Sequence, residues 1–514
     1  MREPPRAETP GSNAAKLQDN RYLDRRVRAG GAIAKVCNRA LVGGKPTGAA
    51  TTLLLSGLLL GGCAVGPNYN RPAIESPQSF RFAESAKPTT NSLAELPWWS
   101  VFKDPSLQAL IHSALTNNYD ARIAAQRVEQ ARAVQMQARS ALLPQVGYVG
   151  EGARAENIYL NLPTPTGGQV LNEYFGAVSV LWEIDLWGRL RRQTEAARAQ
   201  LLATAEARHG VTLSLVGAVA RTYFELLELD ERLAISKRTV NSFSRTLELF
   251  TDQHDNGLAS GLQVAQARAA LESVSAAIPD LERQAAIKEN ALNLLLGRDP
   301  GPILRKAGLL EQEVPPEVPT GLSSALLERR PDVRQAEQQL RAANALIGVA
   351  VGDFLPKIGL TAFYGSISTE LSALTSGTAS AWSVSAGAVG PVFQGGRLYG
   401  RYKQAMAARD EAQLHYQQTV LNALREVSDA LVSRQTIERA RQHVAGAVQA
   451  YQQAVEVATE RYKAGKASYL EVLYAQQQLF PAERSLSEIE CNRRLVIVQL
   501  YAALGGGWEV GVPR

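Results

Sequence analysis

The 514-residue chain is poor in the side chains that carry most site chemistry, with 3 Cys, 5 His and 3 Met. Cys37, Cys63 and Cys491 are too few and too scattered for a disulfide framework or a metal knuckle. The histidines, His112, His209, His254, His415 and His443, are isolated from one another. There is no His-Glu-x-x-His, no phosphate loop and no serine-nucleophile motif. These absences argue against an enzyme and against a resident metal or cofactor. A surplus of positive charge is also missing from most of the chain. Ten of the 55 Lys and Arg and four of the 49 Asp and Glu fall within residues 1–62, so 45 of each sign remain beyond them. A neutral remainder cannot release counterions from phosphates on the scale nucleic-acid binding needs, and no such partner is expected.

One cysteine stands in an informative place. Residues 51–62, TTLLLSGLLLGG, form an apolar run that follows a basic region ending at Lys45 and is too short to cross a bilayer. It reads as the core of an export signal. Leu60-Gly61-Gly62-Cys63 resembles the lipobox of bacterial lipoproteins, which implies cleavage before Cys63 and acylation of that residue. Residue 64 is Ala and not Asp, which by the same resemblance implies sorting to the outer membrane. Each buried methylene contributes about 0.8 kcal/mol, so two or three acyl chains would anchor the chain firmly. Residues 1–62 are accordingly set apart from the fold.

What the chain has in abundance is self-similarity. Leu143-Pro144-Gln145-Val146-Gly147 returns as Leu355-Pro356-Lys357-Ile358-Gly359, at an offset of 212. Downstream the offset is 208: Gly188-Arg189-Leu190 returns as Gly396-Arg397-Leu398, Gly257 as Gly465, Ser260 as Ser468, and Leu296-Gly297 as Leu504-Gly505. The chain is one unit duplicated, each copy reading as helix, two strands, long helix, turn and helix. No proline lies between Trp187 and Ile278, and Val219, Leu226, Leu233, Val240 and Leu247 recur every seven residues, a coiled-coil-like seam. Continuous helices over 189–256 and 397–464 would each be roughly 100 Å long at about 1.5 Å per residue. They are too long for a globular core and must pack against each other or against other chains.

Between the helices the period changes to two. Tyr174, Gly176, Val178, Val180, Trp182 and Ile184 alternate with Ala177, Ser179 and Glu183, and Trp382, Val384, Ala386 and Ala388 alternate with Ser383, Ser385 and Gly387. Preceding strands are expected near 146–156 and 358–368. Four strands cannot close a membrane barrel, because about eight is the minimum and an open edge is not tolerated in lipid. Lipid-facing strands would therefore require several chains to share one barrel.

These residues resemble the TolC-like outer-membrane efflux proteins, in particular the lipoprotein branch called NodT-like or OprM-like. The resemblance rests on Cys63-Ala-Val-Gly-Pro-Asn-Tyr, on Pro97-Trp98-Trp99 with Phe102 and Asp104-Pro105, and on Arg329-Arg330-Pro331-Asp332-Val333-Arg334-Gln335-Ala336-Glu337. It implies a mainly α fold with a membrane β-barrel portion: a homotrimer sharing a twelve-stranded barrel in the outer membrane, above a long helical barrel in the periplasm. It divides the chain into an N-terminal extension and signal peptide at 1–62, an extended linker at 63–103, a first efflux repeat at 104–303 and a second at 321–508. It further implies a passive exit duct for drugs or other small molecules. The implied partners are a periplasmic adaptor and an inner-membrane transporter of the resistance-nodulation-division class. The same fold also serves type I protein secretion, and the lipobox favours efflux over that alternative.

The resemblance also marks a gate. Helix pairs of this family meet at a periplasmic tip through glycine turns, matched here by Asn256-Gly257-Leu258-Ala259-Ser260 and by Arg461 to Ser468 with Gly465 between them. Gly frees the backbone to turn, and Ser can cap the following helix. Gly257, Ser260, Arg461, Gly465 and Ser468 are thus the expected adaptor contacts. Leu470 and Glu471 fall where an apolar ring and an acidic ring close the tunnel, and three-fold repetition of Glu471 would attract cations. Tyr474 stands where many relatives carry Asp, a departure that leaves one acidic ring and not two.

Overall fold

A computed structural model describes residues 64–73, 98–156, 170–313, 326–374 and 379–506; Cys63 and the signal segment lie outside the described residues. In the first repeat α1 (Pro105–Asn117) and α2 (Tyr119–Ser140) lead to β1 (Gln145–Glu156) and β2 (Val170–Ile184). They are followed by α3 (Arg189–Asp255), α4 (Gly261–Ser275) and α5 (Ala277–Leu295). In the second repeat α6 (Pro331–Gly352), β3 (Lys357–Ser368) and β4 (Ser380–Val389) precede α7 (Arg397–Lys463) and α8 (Tyr469–Ala503). The two long helices, α3 and α7, are each 67 residues.

The duplicated glycines explain the constancy of the 208-residue offset. Gly188 and Gly396 open the long helices with φ of 76° and 84°, and Gly257 and Gly465 end them with φ of 71° and 66°. Any other residue would be strained in this left-handed conformation. The second half of the motif pair, Arg330-Pro331-Asp332, starts α6 with Pro at its first position. Arg330 is buried and does more than begin a helix. It donates to the Ala503 carbonyl at the end of α8 and to Glu426 on α7, at 2.9 and 2.8 Å, and pairs with Asp332.

Two expectations change. The heptad series stays fully buried at Val219 and Leu226 but is only partly buried at Leu233, Val240 and Leu247, while Ile235, Phe243 and Phe250 take over the buried face. A strict seven-residue repeat drifts by about 20° per heptad around a straight helix, so over four heptads the seam leaves the contact. The returning helix of the first repeat is also broken, at Ala276 between α4 and α5. Pro279 cannot donate to residue 275 and crowds its carbonyl, which accounts for the break at that point. The equivalent limb α8 runs unbroken through its own Pro481.

The four strands form one antiparallel sheet in the order β1-β2-β3-β4. Tyr148, Val178, Tyr364 and Trp382 lie directly opposite one another in successive strands and so share a face, with exposures of 91%, 52%, 69% and 73%. The next row on that face is Val146, Val180, Ala362 and Val384. The opposite face carries Ser179, Glu183 and Ser383, a hydrogen bond between Thr361 and Ser385 at 2.5 Å, and an edge-to-face pair of Phe175 and Phe363. This is the apolar-out, polar-in alternation of a membrane barrel wall. At the foot of the sheet Trp182 donates to the Leu142 carbonyl and Trp187 to the Pro356 carbonyl, so Trp187 braces the first repeat against the second.

Away from the sheet the helices lie side by side: α2 packs on α3, α3 on α6 and α6 on α7, and α8 runs along both α7 and α3. The main core sits at mid-length of α3, where Val219, Tyr223, Leu226 and Leu227 meet Phe102, Leu107, Ile111, Leu292, Leu296, Leu500 and Tyr501. Asp104 ties this core together. It caps α1 by accepting from the Ser106 N–H and accepts again from Tyr223 and Gln312, at 2.6 and 2.7 Å. Between core and tips, Glu490 of α8 accepts from Arg441 of α7 and from Arg494 at 2.8 Å. Burial pushes the Glu490 carboxyl up, but the hydrogen bonds from the two guanidiniums outweigh it and hold the group below its usual range.

A carboxyl held low in the fold contributes stability that is fully present above its usual value of about 4.3 and is lost as pH falls below that, through its lowered value in the fold. Glu490→Gln leaves the buried Arg494 without its charge partner and is expected to cost about 2–4 kcal/mol at pH 7. Thermal unfolding of the purified protein followed by circular dichroism should show this loss at pH 7 and a difference that shrinks progressively as pH falls below about 4. Equal melting of both proteins at pH 7 would refute the assignment.

Candidate functional site at the helical tips

Both long helices end far from the sheet in the same construction. At the first tip Gly257 donates to the His254 carbonyl and Leu258 to Gln253, at 2.9 and 2.7 Å. At the second, Gly465 donates to Tyr462 and Lys466 to Arg461, both at 2.9 Å. This paired closure satisfies the last carbonyls of each helix and requires the left-handed glycine. The next helices begin at Ser260 and Ser468. The Gln263 side chain reaches back to accept from the Ser260 N–H at 2.8 Å. The expected serine cap is not made at the second tip, where Ser468 has the extended backbone of a cap but no capping bond from its side chain.

Above the turns the two repeats are tied to each other. Tyr469 on α8 shares a 2.6 Å hydrogen bond with Thr246 on α3, and Gln253 donates to the Tyr462 hydroxyl at 3.0 Å. Phe250 and Tyr462 each set an edge-to-face ring against Tyr469, at 5.1 and 4.8 Å. One turn higher Gln476 donates to Ser242 at 3.1 Å, over an apolar cluster of Phe243, Ala270, Val274 and Leu473. None of these tether hydrogen bonds emerges from sequence patterning, because each joins helices of different repeats that no local period relates. The unequal partners, Thr246 against Tyr469, sit at positions that the duplication does not equate.

Beside the tether, α8 divides its faces sharply. Val472, Leu473 and Ala475 are buried, whereas Leu470, Glu471 and Tyr474 are exposed at 49%, at about half of the side chain and at 65%. The Glu471 carboxylate lies 4.0 Å from Arg461 across the hairpin, an exposed contact of little energy. Leu470, Glu471 and Tyr474 therefore form one outward ridge of mixed character within a single chain. A cavity of about 230 Å³ lies elsewhere, beside the core, where Phe102, Asp104, Phe224, Arg494 and Ile497 line it.

A family model described as outer membrane efflux protein matches residues 110–298 and 322–506, once on each repeat. The chain belongs to the outer membrane efflux protein family. It is similar to the probable efflux pump outer membrane protein TtgC of Pseudomonas putida, with 34% identity over 461 residues, 89% of this chain and 95% of the relative. It also resembles the probable outer membrane lipoprotein SilC of Salmonella typhimurium, with 33% identity over 453 residues, 88% of this chain and 97% of that one. Among solved structures, the Campylobacter jejuni CmeC outer membrane channel superposes with a TM-score of 0.80 at 30% identity, over 87% of this chain and 95% of that one. The expected fold class and the outer-membrane location hold, because the family is one of outer membrane efflux proteins and the superposed relative is an outer membrane channel.

Replacing both Tyr462 and Tyr469 of this efflux protein by Phe keeps the rings and deletes the two tether hydrogen bonds, each worth about 1 kcal/mol. Trypsin should then cut after Lys463 and Lys466 roughly five to twenty times faster than in the parent. Peptide mapping of timed digests reads this directly, and unchanged cleavage rates would show that the tether does not hold the turn.

Proposed function

We propose that the protein is the exit duct of a tripartite efflux pump. In this reading a homotrimer conducts drugs or other small molecules out of the cell, receiving them from a resistance-nodulation-division transporter through a periplasmic adaptor. The observation that carries the reading is the apolar-faced sheet with two unpaired edges, in a chain that matches the efflux family on both repeats. Three copies joined β1 to β4 supply a closed barrel without an open edge in lipid. The helices follow the same order. Tyr119, Ile123, Val134 and Met136 are exposed on α2 at one side of the layer, and Tyr399, Leu414 and Leu421 on α7 at the other. Such apolar residues suit contact between neighbouring copies.

The remaining assignments belong to the same proposal. Residues 63–103 are the linker that follows the signal, 104–303 and 321–508 the two repeats, and Cys63 the acylated residue that fixes the chain to outer-membrane lipid. Gly257, Ser260, Arg461, Gly465 and Ser468 form the rim that meets the adaptor. Leu470 and Glu471, brought together three-fold, form the constriction, with Tyr474 in place of a second acidic ring.

Glu471→Gln removes the charge of that ring and leaves the fold intact, since the side chain is half exposed. Purified trimers in planar bilayers should lose most of their preference for cations over anions, a severalfold drop in permeability ratio. Deleting the gene should lower resistance to compounds of the partner pump, and the wild-type gene but not a copy lacking residues 257–260 and 465–468 should restore it. A monomer of the native protein extracted from outer membranes would overturn the proposal.

A further inference from the structure

We infer that the cavity beside the core is a binding site for a small aromatic carboxylate, held by the Arg494 guanidinium and the rings of Phe102 and Phe224. The inference does not rest on the duct reading, because these residues belong to the mid-length core and its edge and not to the sheet or the tips. The cavity encloses about 230 Å³, the share of about eight waters at about 30 Å³ each. Its inner wall is apolar, with Phe102, Leu107, Phe224 and Ile497 each no more than 6% exposed. The Phe102 and Phe224 rings stand 6.2 Å apart at 58°, a tilted pair against which a third ring can pack edge to face. On the outer side Lys103 pairs with Glu313 at 2.7 Å, with side chains 68% and 71% exposed, so this pair marks the mouth.

The polar handle inside is Arg494, on α8 and 4% exposed. Its Nη1 donates to the Glu490 carbonyl and carboxylate, at 2.7 and 2.8 Å, and its Nη2 to the Gln312 carbonyl at 2.8 Å. Its Nε is closed off from water and has no hydrogen-bond partner among the described residues. A guanidinium carries five N–H groups, so the Nε–H and one Nη2 proton are unused. The charge is unbalanced as well. Glu438 and Glu490 together serve Arg441, Arg493 and Arg494, which sets three positive charges against two negative ones. Burial and the neighbouring Arg493 pull the Arg494 pKa down against the attraction of Glu490, as expected of a buried cation short of an anion.

The acids on the cavity wall are already engaged. Asp104 accepts from Ser106, Tyr223 and Gln312, Glu311 from the Gly308 N–H, and Glu313 from Lys103. The surplus at Arg494 is thus left for an incoming carboxylate, which takes the unused donors after a small turn of the guanidinium and sets its ring against Phe102 and Phe224. A mostly apolar pocket with one convergent charge selects a ligand of this amphipathic kind. The occupant touches the N-terminal segment, α3 and α8 at once, so binding to the folded protein raises its melting temperature.

Fluorine NMR of para-fluorobenzoate with the purified full-length protein in amphipol at neutral pH tests this. The expected result is saturable line broadening at one site per chain, with a Kd of about 1 mM or tighter, and a rise in melting temperature. The alcohol para-fluorobenzyl alcohol keeps the ring and lacks the charge, and should bind about tenfold more weakly. Arg494→Lys keeps the charge but loses the planar fork, and should weaken the carboxylate about tenfold while leaving the alcohol unchanged. Should that variant fail to fold, the comparison of acid and alcohol reads the same contact in the parent. Ala307→Trp fills the cavity from the loop after α5 and removes none of the polar contacts, so it should abolish binding of both compounds while the ligand-free protein melts like the parent. No saturable binding, equal binding of acid and alcohol, or undiminished binding to folded Ala307→Trp overturns the inference.

Discussion

Among the described residues no strand lies beside β1 or β4, the two edges of a sheet with one apolar face. In water such edges are managed by charge, twist or cover, but in hydrocarbon each unsatisfied group costs several kcal/mol. The remainder of the architecture follows from resolving that conflict by repetition of the chain. Once the edges are shared between copies, the layer formed by α2, α3, α6 and α7 must curve in register with the strands above it. The long helices then extend one wall in two materials, strands inside the bilayer and helices outside it.

Much of this was legible in the residues. The strand pattern, the 208-residue offset and the proline-free stretch located the strands and the two longest helices, because period, glycine and proline are local signals. The ends of α3 and α7 came within one residue of expectation for the same reason. The pattern failed where the answer depended on a partner helix. Phe243 and Phe250 displaced Val240 and Leu247 from the seam through slow rotation of the buried face, which no seven-residue count can register. The tether of Thr246 to Tyr469 was equally invisible, since it joins two repeats at unmatched positions. Leu470 and Glu471 were singled out as a gate by resemblance alone, and the structure of one chain shows them only as part of an exposed ridge.

Several of the polar groups buried in this protein sit where separate elements meet. Asp104 gathers three donors where the N-terminal segment meets α3, Arg330 closes the end of α8 onto α6 and α7, and Arg192 on α3 donates to the Val65 carbonyl and the Asn68 side chain. A buried charge left without its partners is costly, so each of these groups penalises misassembly more than it rewards assembly.

The equal length of α3 and α7 carries a further consequence for how such a chain can vary over generations. Inserting a single residue in either helix would lower its tip by about 1.5 Å and rotate everything beyond it by about 100°. That would move Tyr469 off Thr246 and carry Leu470 out of its ridge. Length changes are therefore confined to places that hang free of both helices. The four residues by which the first repeat exceeds the second lie between its Leu-Pro and Gly-Arg-Leu markers, in the strand hairpin and its flanking links. The helical shafts act as a ruler that lineages cannot trim, and the hairpins are the margin where they are free to write.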